Sequence, residues 1–150
     1  QRIKKPGLPL KAYLDLDAFK IYLLDIGLLM AMVDLDARII IDGNRIFTEF
    51  KGALTEQYVL QQFIADFGVE AYYYSTEKSS GEIDFLLQGR NSVLPVEVKA
   101  EENLRAKSLK SFCEKYHPAY AVRTSMSDYR EQEWMTNIPL YNICRIKQYL

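Results

Sequence analysis

The stretch that decides the fold is Gly81-Glu-Ile-Asp-Phe-Leu-Leu-Gln-Gly-Arg-Asn-Ser-Val-Leu-Pro-Val-Glu-Val-Lys-Ala100. Apolar residues alternate with other residues on both sides of Gly89-Arg-Asn-Ser92, which has the composition of a turn. Alternation with period two is typical of a half-buried strand. The stretch therefore predicts two antiparallel strands joined by a short loop.

The loop fixes a register that pairs apolar residues on the core face: Leu87 with Leu94, Phe85 with Val96, and Ile83 with Val98. The same register places Asp84 opposite Glu97, with Lys99 on the same face. Opposed carboxylates repel each other across a strand pair, and a divalent cation between them would remove that repulsion. The alternative interpretation is a solvated outer face on which Lys99 neutralises the pair.

Composition limits the class of protein. The chain has 150 residues, 49% hydrophobic and 26% charged, which fits one ordinary globular domain. A net charge of −1 excludes a global basic field, so any binding of nucleic acid must come from local patches. Only two cysteines and one histidine are present, which excludes a His-rich zinc site and indicates a reducing compartment. We expect a cytoplasmic location and no membrane span, because no apolar run reaches about 20 residues.

The remaining elements are predicted from periodicity and turn residues. Gly52 to Phe67 is expected to be a helix that ends at Gly68, and a second helix is expected over 107–116. Polar connections are predicted over 34–44, 76–81 and 101–105. The shorter predicted elements are an irregular segment at 1–20, strands at 19–24, 70–75, 119–122 and 138–141 (the last at an edge), and short helices at 28–33 and 142–150. The core order is α-β-β-β-α-β, an α/β fold with a mixed sheet flanked by helices.

Glu56 is unusual within the first long helix. At 100° per residue it falls near the middle of the apolar arc that contains Val59, Leu60 and Phe63. A carboxylate on a core-facing stripe is costly unless it is paired or bound to a metal. The alternative is that Glu56 lies in the first helical turn, favours the positive end of the dipole and points outward.

Together these residues form a pattern: an acidic residue on a helix, then Glu82-Ile-Asp84 on a strand, then Glu97-Val-Lys99 on the next strand. The pattern resembles the PD-(D/E)XK nuclease superfamily, and Glu56 matches the helix glutamate of its RecB-like branch. The resemblance implies a restriction-endonuclease-like core. Ile83 stands where many members of that superfamily have proline.

A second resemblance covers most of the chain. Tyr22-Leu-Leu-Asp25-Ile-Gly27, Gly52-Ala-Leu-Thr-Glu56, Pro95-Val-Glu97-Val-Lys99 and Ile138-Pro-Leu-Tyr141 are similar to the uncharacterised C-terminal domain that follows the ATPase module in many bacterial and archaeal AAA+ ATPases. This likeness implies a leading segment over 1–50, with a short strand and helix packed on the core, and a nuclease-like domain over 51–150. An ATPase module is then expected upstream of Gln1, because the chain itself contains no Gly-x4-Gly-Lys-Ser/Thr loop.

The resemblance also implies a chemistry, which is hydrolysis of a phosphodiester assisted by Mg²⁺ or Mn²⁺. Asp84, Glu97 and the backbone carbonyl of Val98 would hold the metal, Glu56 would bind a second metal or a metal-bound water, and Lys99 would orient the attacking water. Candidate phosphate contacts are Lys107, Lys110 and Arg105, whose alternative role is a solvated helix face.

Two functions remain open at this stage. The first is a nuclease that acts on DNA or RNA under the control of the attached ATPase. The second is a non-catalytic regulatory or partner-binding module of that ATPase. The sequence leaves the oligomeric state open. A serine hydrolase is excluded, because no Gly-x-Ser-x-Gly motif occurs.

Overall fold

The structure is a computed structural model that describes residues 1–36, 38, 45–76, 81–100 and 105–150, with the backbone alone at 45–49. The helices are α1 (Ile26–Met32), α2 (Arg45–Gln62) and α3 (Lys107–Tyr116). The strands are β1 (Arg2–Ile3), β2 (Leu14–Asp15), β3 (Ala71–Ser75), β4 (Glu82–Gln88), β5 (Val93–Val98), β6 (Val122–Ser125), β7 (Arg130–Glu131) and β8 (Thr136–Pro139). Two 3-10 helices (Leu10–Tyr13 and Leu140–Tyr149) and a π-helical turn (Phe63–Phe67) complete the fold.

In the described residues these strands form one eight-stranded sheet, in the order β2-β1-β3-β4-β5-β6-β8-β7. β4 pairs antiparallel with β3 on one side and with β5 on the other, while β5, β6 and β8 run parallel. The predicted α/β class with a mixed sheet and flanking helices is therefore confirmed. The finer assignment to the restriction-endonuclease-like fold stays a prediction.

The sheet is covered on both faces. On one face α2 and the C-terminal 3-10 helix pack with residues such as Phe85, Leu87 and Val96. On the other face α3 packs with Tyr72, Tyr74 and Leu86. Because both faces are covered, the central strand β5 is buried along its whole length.

The predicted hairpin is confirmed, with Phe85 opposite Val96, Leu87 opposite Leu94, and Gln88 opposite Val93. The prediction was wrong at Ile83, which packs on the α3 side and not with Phe85 and Leu87. The cause is a β-bulge. Tyr72 pairs with Leu86 and Tyr74 with Ile83, so two residues of β4, Asp84 and Phe85, stand opposite Tyr73 alone.

The first long helix begins earlier than predicted, at Arg45 and not Gly52. Glu56 therefore lies in the interior of α2, which removes the interpretation that placed it in the first helical turn. The predicted stop is confirmed, because Gly68 takes a left-handed conformation (φ 62°) that a residue with a Cβ adopts only at a cost.

The N-terminal segment is more ordered than predicted. Residues 1–20 were expected to be irregular, but β1 pairs parallel to β3 and antiparallel to β2. Residues 19–24 were expected to be a strand and are not one. Leu23 instead donates its N–H to Gln57 Oε1 and accepts from Gln57 Nε2, both at 2.9 Å, so a side-chain amide replaces a strand partner.

Two strands after α3 were misplaced. The strand expected at 119–122 lies at Val122–Ser125, because buried polar residues extend it beyond the apolar run. The strand expected at 138–141 lies at Thr136–Pro139, inside the sheet between β6 and β7 and not at its edge. Pro139 is tolerated there as the last residue of the strand. The predicted polar connections lie largely outside the described residues.

Candidate functional site

Asp84 lies at the bulge in β4. Its Oδ2 accepts a hydrogen bond of 2.7 Å from the Val98 N–H, beyond the last β4–β5 ladder pair at Phe85 and Val96. Burial raises the pKa of Asp84 to about 7; the Val98 N–H and Lys20 oppose this, while the charges of Glu56 and Glu97 add to it. A buried carboxyl held among other carboxyls is a common feature of functional sites.

Glu56 projects from α2 towards the N-terminal segment. Its Oε2 accepts hydrogen bonds from Tyr22 Oη at 3.0 Å and from Lys20 Nζ at 3.2 Å. Lys20 and Tyr22 are two residues apart, and both side chains reach the same oxygen of Glu56. Glu56 can therefore lie on the apolar arc of α2 because Lys20 and Tyr22 donate hydrogen bonds to its carboxylate.

Lys20 joins several acidic groups. Its ammonium also forms an ion pair with Glu82 at the start of β4, and it lies 5.3 Å from the ring centroid of Tyr73. Burial alone would lower the pKa of Lys20, but hydrogen bonds and charges from Glu82 and Glu56 outweigh it, so the pKa lies above its ordinary value. Lys20 is therefore charged at neutral pH.

Glu97 lies on the opposite face of the sheet. Val96 and Val98 pack on the α2 side, so Glu97 between them points towards α3, where its Oε2 accepts from the Leu109 N–H at 3.2 Å. Its Oε1 lies 2.7 Å from Lys99 Nζ. The predicted placement of Glu97 and Lys99 on one face agrees with this ion pair.

Sequence reasoning missed a buried polar row beside Glu97. Arg123 on β6 stands in register with Glu97 on one side and with Asn137 on the other. Arg123 is 1% exposed, and its Nε donates to Asn137 Oδ1 at 2.9 Å. Asn137 Oδ1 also accepts from Ser125 Oγ at 2.8 Å. The available signal was the polar residues that directly adjoin the apolar runs of the two strands predicted at 119–122 and 138–141, since both strands include these residues.

The four predicted site residues therefore divide into two groups. Glu56 lies on the α2 side with Lys20, whereas Glu97 and Lys99 lie on the α3 side. Asp84 connects them, since it interacts electrostatically with both glutamates. Among the described residues, no three histidine, cysteine or acidic side chains lie close enough together to hold one metal ion.

A cavity of about 770 Å³ opens beside Asp84 on the α2 side. Its walls include Lys20, Tyr22 and Phe85 near Asp84, and Tyr73 on the neighbouring strand. Glu56 lines an adjoining cavity of about 370 Å³, which Lys20 and Tyr22 also line. The Lys20 side chain thus separates two accessible spaces at the acidic cluster.

The candidate phosphate contacts lie elsewhere. Lys107 and Lys110 are exposed on α3, and Arg105 is exposed just before it. α3 covers the face of the sheet opposite the large cavity. The structure therefore places these three residues nearer to Glu97 than to Glu56.

The arrangement defines an α/β domain with an acidic, lysine-neutralised cluster at a strand bulge. A family model matches residues 51–143, described as a domain of unknown function (DUF4143), and the chain belongs to this family. No curated protein and no solved structure matches the chain. Within the described residues, no helix combines the length and the apolar character needed to cross a membrane.

Proposed function

We propose that this domain is a nuclease-like module that hydrolyses phosphodiester bonds of nucleic acid with Mg²⁺ or Mn²⁺, in a polypeptide that also carries an AAA+ ATPase. The observation that carries the proposal is the bulge at Asp84, which directs a buried carboxylate to a position that interacts with both Glu56 and Glu97. Bulges next to active sites commonly redirect a side chain in this way. This position of Asp84 therefore favours a role in cation binding over a purely structural role in the sheet.

The residues present fit a divalent ion of the magnesium type. Mg²⁺ keeps several waters and is usually held by one or two carboxylates, so three converging acidic side chains are not required. Asp84 and Glu56 would hold it on the α2 side, with the Val98 carbonyl as a further predicted ligand. Glu97, the remaining predicted ligand, would have to leave the Leu109 N–H and Lys99 on the α3 side to join them. When bound, the ion would lower the pKa of a coordinated water and stabilise charge on the phosphate.

The chain's own residues would position the reactants. The Val98 N–H fixes Oδ2 of Asp84, and Oδ1 accepts no hydrogen bond from a described residue, so it stays available. The Lys99 side chain is 35% exposed and paired with Glu97 on the α3 side. Once turned from Glu97 towards the metal, its ammonium would hold the attacking water or a phosphate oxygen, as a compact charge with several donors can.

A second candidate function is the non-catalytic regulatory or partner-binding module of the ATPase. The observation in its favour is that lysines already neutralise the acidic groups: Lys20 pairs with Glu56 and Glu82, and Lys99 pairs with Glu97. A site balanced in this way is stable without a metal, as a structural cluster would be.

The test is a cleavage assay of the 150-residue chain on end-labelled single-stranded DNA, duplex DNA and RNA, with Mg²⁺ or Mn²⁺. We expect products that appear only with metal and disappear in Asp84→Ala. The matched control is Asp66→Ala, an exposed acidic residue on the π-helical turn, which should leave cleavage unchanged. Intact substrates throughout, together with no detectable metal binding, would leave the partner-binding module as the function.

A further inference from the structure

Lys20 contributes a charge to the site from outside the matched range of 51–143. Its side chain is 27% exposed, and its ammonium lies between carboxylates that belong to two different elements, α2 and β4. Asp84 lines the same cavity as Lys20. One ammonium thus pairs with two carboxylates and shares a cavity with a third.

We propose that Lys20 is a tethered counter-ion that occupies the cation position of this site until a divalent ion displaces it. The segment that carries Lys20 then sets the metal affinity. The inference rests on the proposed function, since it concerns the same carboxylates. An ammonium and a divalent ion repel each other at contact distances, and that repulsion is strong in a partly buried site. The metal can therefore bind fully only when the Lys20 ammonium withdraws from Glu56.

The surroundings of Lys20 allow this withdrawal. Its ammonium is held by two ion pairs and by the face of the Tyr73 ring, and a divalent ion brings twice the charge to the same carboxylates. The 770 Å³ cavity on one side of Lys20 provides space for the displaced side chain. A four-carbon stem with rotatable bonds can move while the backbone at Leu23 stays bonded to Gln57.

Lys20→Met tests the proposal through metal binding and not through cleavage. Titration calorimetry with Mn²⁺ should show about tenfold tighter binding for the variant than for the wild type, equivalent to about 1.4 kcal/mol. In thermal unfolding, metal should change the melting temperatures of the variant and the wild type by different amounts. Without metal the variant should melt below the wild type, because three carboxyl groups lose their counter-ion, and saturating Mg²⁺ should raise its melting temperature more. A purely structural lysine would lower both melting temperatures equally.

Lys11→Met is the matched control. Lys11 also lines the large cavity and is also paired with a carboxylate, Glu70 at 2.9 Å, but it lies away from Glu56. Its removal should leave the affinity for Mn²⁺ within about twofold of the wild type, as exposed ion pairs contribute little. A gain equal to that of Lys20→Met would assign the effect to overall charge and would overturn the proposal.

A measurement on the wild type covers the case in which Lys20→Met does not fold. Acetylation of lysines by a water-soluble reagent, followed by peptide mass spectrometry, should show that Mg²⁺ accelerates modification of Lys20 and not of Lys11. Metal binding without faster modification of Lys20 would overturn the inference and leave the proposed function standing. If neither protein binds a divalent ion, both the inference and the proposed function fail.

Discussion

The side chain of Asp84 receives the backbone N–H of Val98 at 2.7 Å, at the point where the backbone pairing of β4 and β5 ends. A side chain thus takes over a role that a main-chain carbonyl has in a regular ladder. This hydrogen bond connects the Asp84 carboxylate to the Glu97-Val98-Lys99 segment, next to the bulge in β4.

Asp84→Asn should change how stability depends on pH. The folded-state pKa of about 7 lies above the ordinary value of 3.8, so the folded protein binds this proton more tightly than the unfolded chain. The free energy of unfolding should therefore fall as the pH rises from about 4 to about 7, and stay low above that. Asparagine does not ionise, so the variant lacks this loss of stability. Its side-chain oxygen can still accept the hydrogen bond from the Val98 N–H.

Urea unfolding at pH 5 and pH 8 provides the measurement. The variant should be more stable than the wild type at pH 8 by at least about 1 kcal/mol, since each pKa unit corresponds to about 1.4 kcal/mol. The difference should shrink at pH 5. A variant that is equally destabilised at both pH values would show that the carboxylate is no burden to the fold.

Gln57→Leu should release the N-terminal segment. Gln57 is 2% exposed, and both of its hydrogen bonds go to Leu23. Their loss leaves backbone groups without partners and should cost about 1–3 kcal/mol. Hydrogen exchange should be faster at the Leu23 amide. Gln62→Leu, on the same helix but without such bonds, should preserve protection; equal loss in both variants would contradict the assignment.

Arg123→Met should destabilise the protein strongly. The change removes a buried guanidinium whose Nε donates to Asn137 Oδ1 and whose charge acts on Glu97, its register partner on β5. Loss of such buried polar contacts costs about 1–3 kcal/mol. Adding Glu97→Gln should recover part of this loss in urea unfolding. Arg130→Met, at an exposed site, should change stability by less than about 0.5 kcal/mol. Additive effects in the double variant would refute the coupling of Arg123 and Glu97.

His117→Gly should stabilise the protein. His117 ends α3 in a left-handed conformation (φ 48°) and donates its N–H to the Cys113 carbonyl at 2.9 Å. Glycine adopts this conformation without the steric cost of a Cβ, so we expect a gain of about 0.5–1 kcal/mol in thermal unfolding. His117→Ala keeps the Cβ and should give no gain. A lower melting temperature for His117→Gly would contradict this explanation.

The sequence predicted the parts of the fold that depend on local periodicity. The hairpin register and α3 were found because their apolar residues recur at the spacing of one element. The bulge at Asp84 was not predictable in the same way, because it depends on how Tyr73 of another strand aligns with β4. Arg123 was missed because its strand was predicted to end at residue 122, where the apolar run stops, whereas polar neighbours such as Asn137 on β8 allow its burial.

The candidate site was predicted in part for a similar reason. Glu56 and Asp84 stood out because each carboxylate disturbs a local apolar pattern. Lys20 gave no such signal, since one lysine on the outer face of the strand predicted at 19–24 is ordinary. Its partner Glu56 lies 36 residues further along the chain, and only the tertiary fold brings the two together.

The short parallel ladder between β1 and β3 has a consequence for folding. Arg2 and Ile3 pair with Tyr73 and Tyr74, so β1 can pair only after a strand about 70 residues later in the chain has formed. Contacts of long sequence separation form late, because loop closure costs entropy before any contact compensates for it. A ladder of two residues is also among the first parts of a fold to open. We therefore expect the segment that carries Lys20 to dock late and to open before the central sheet.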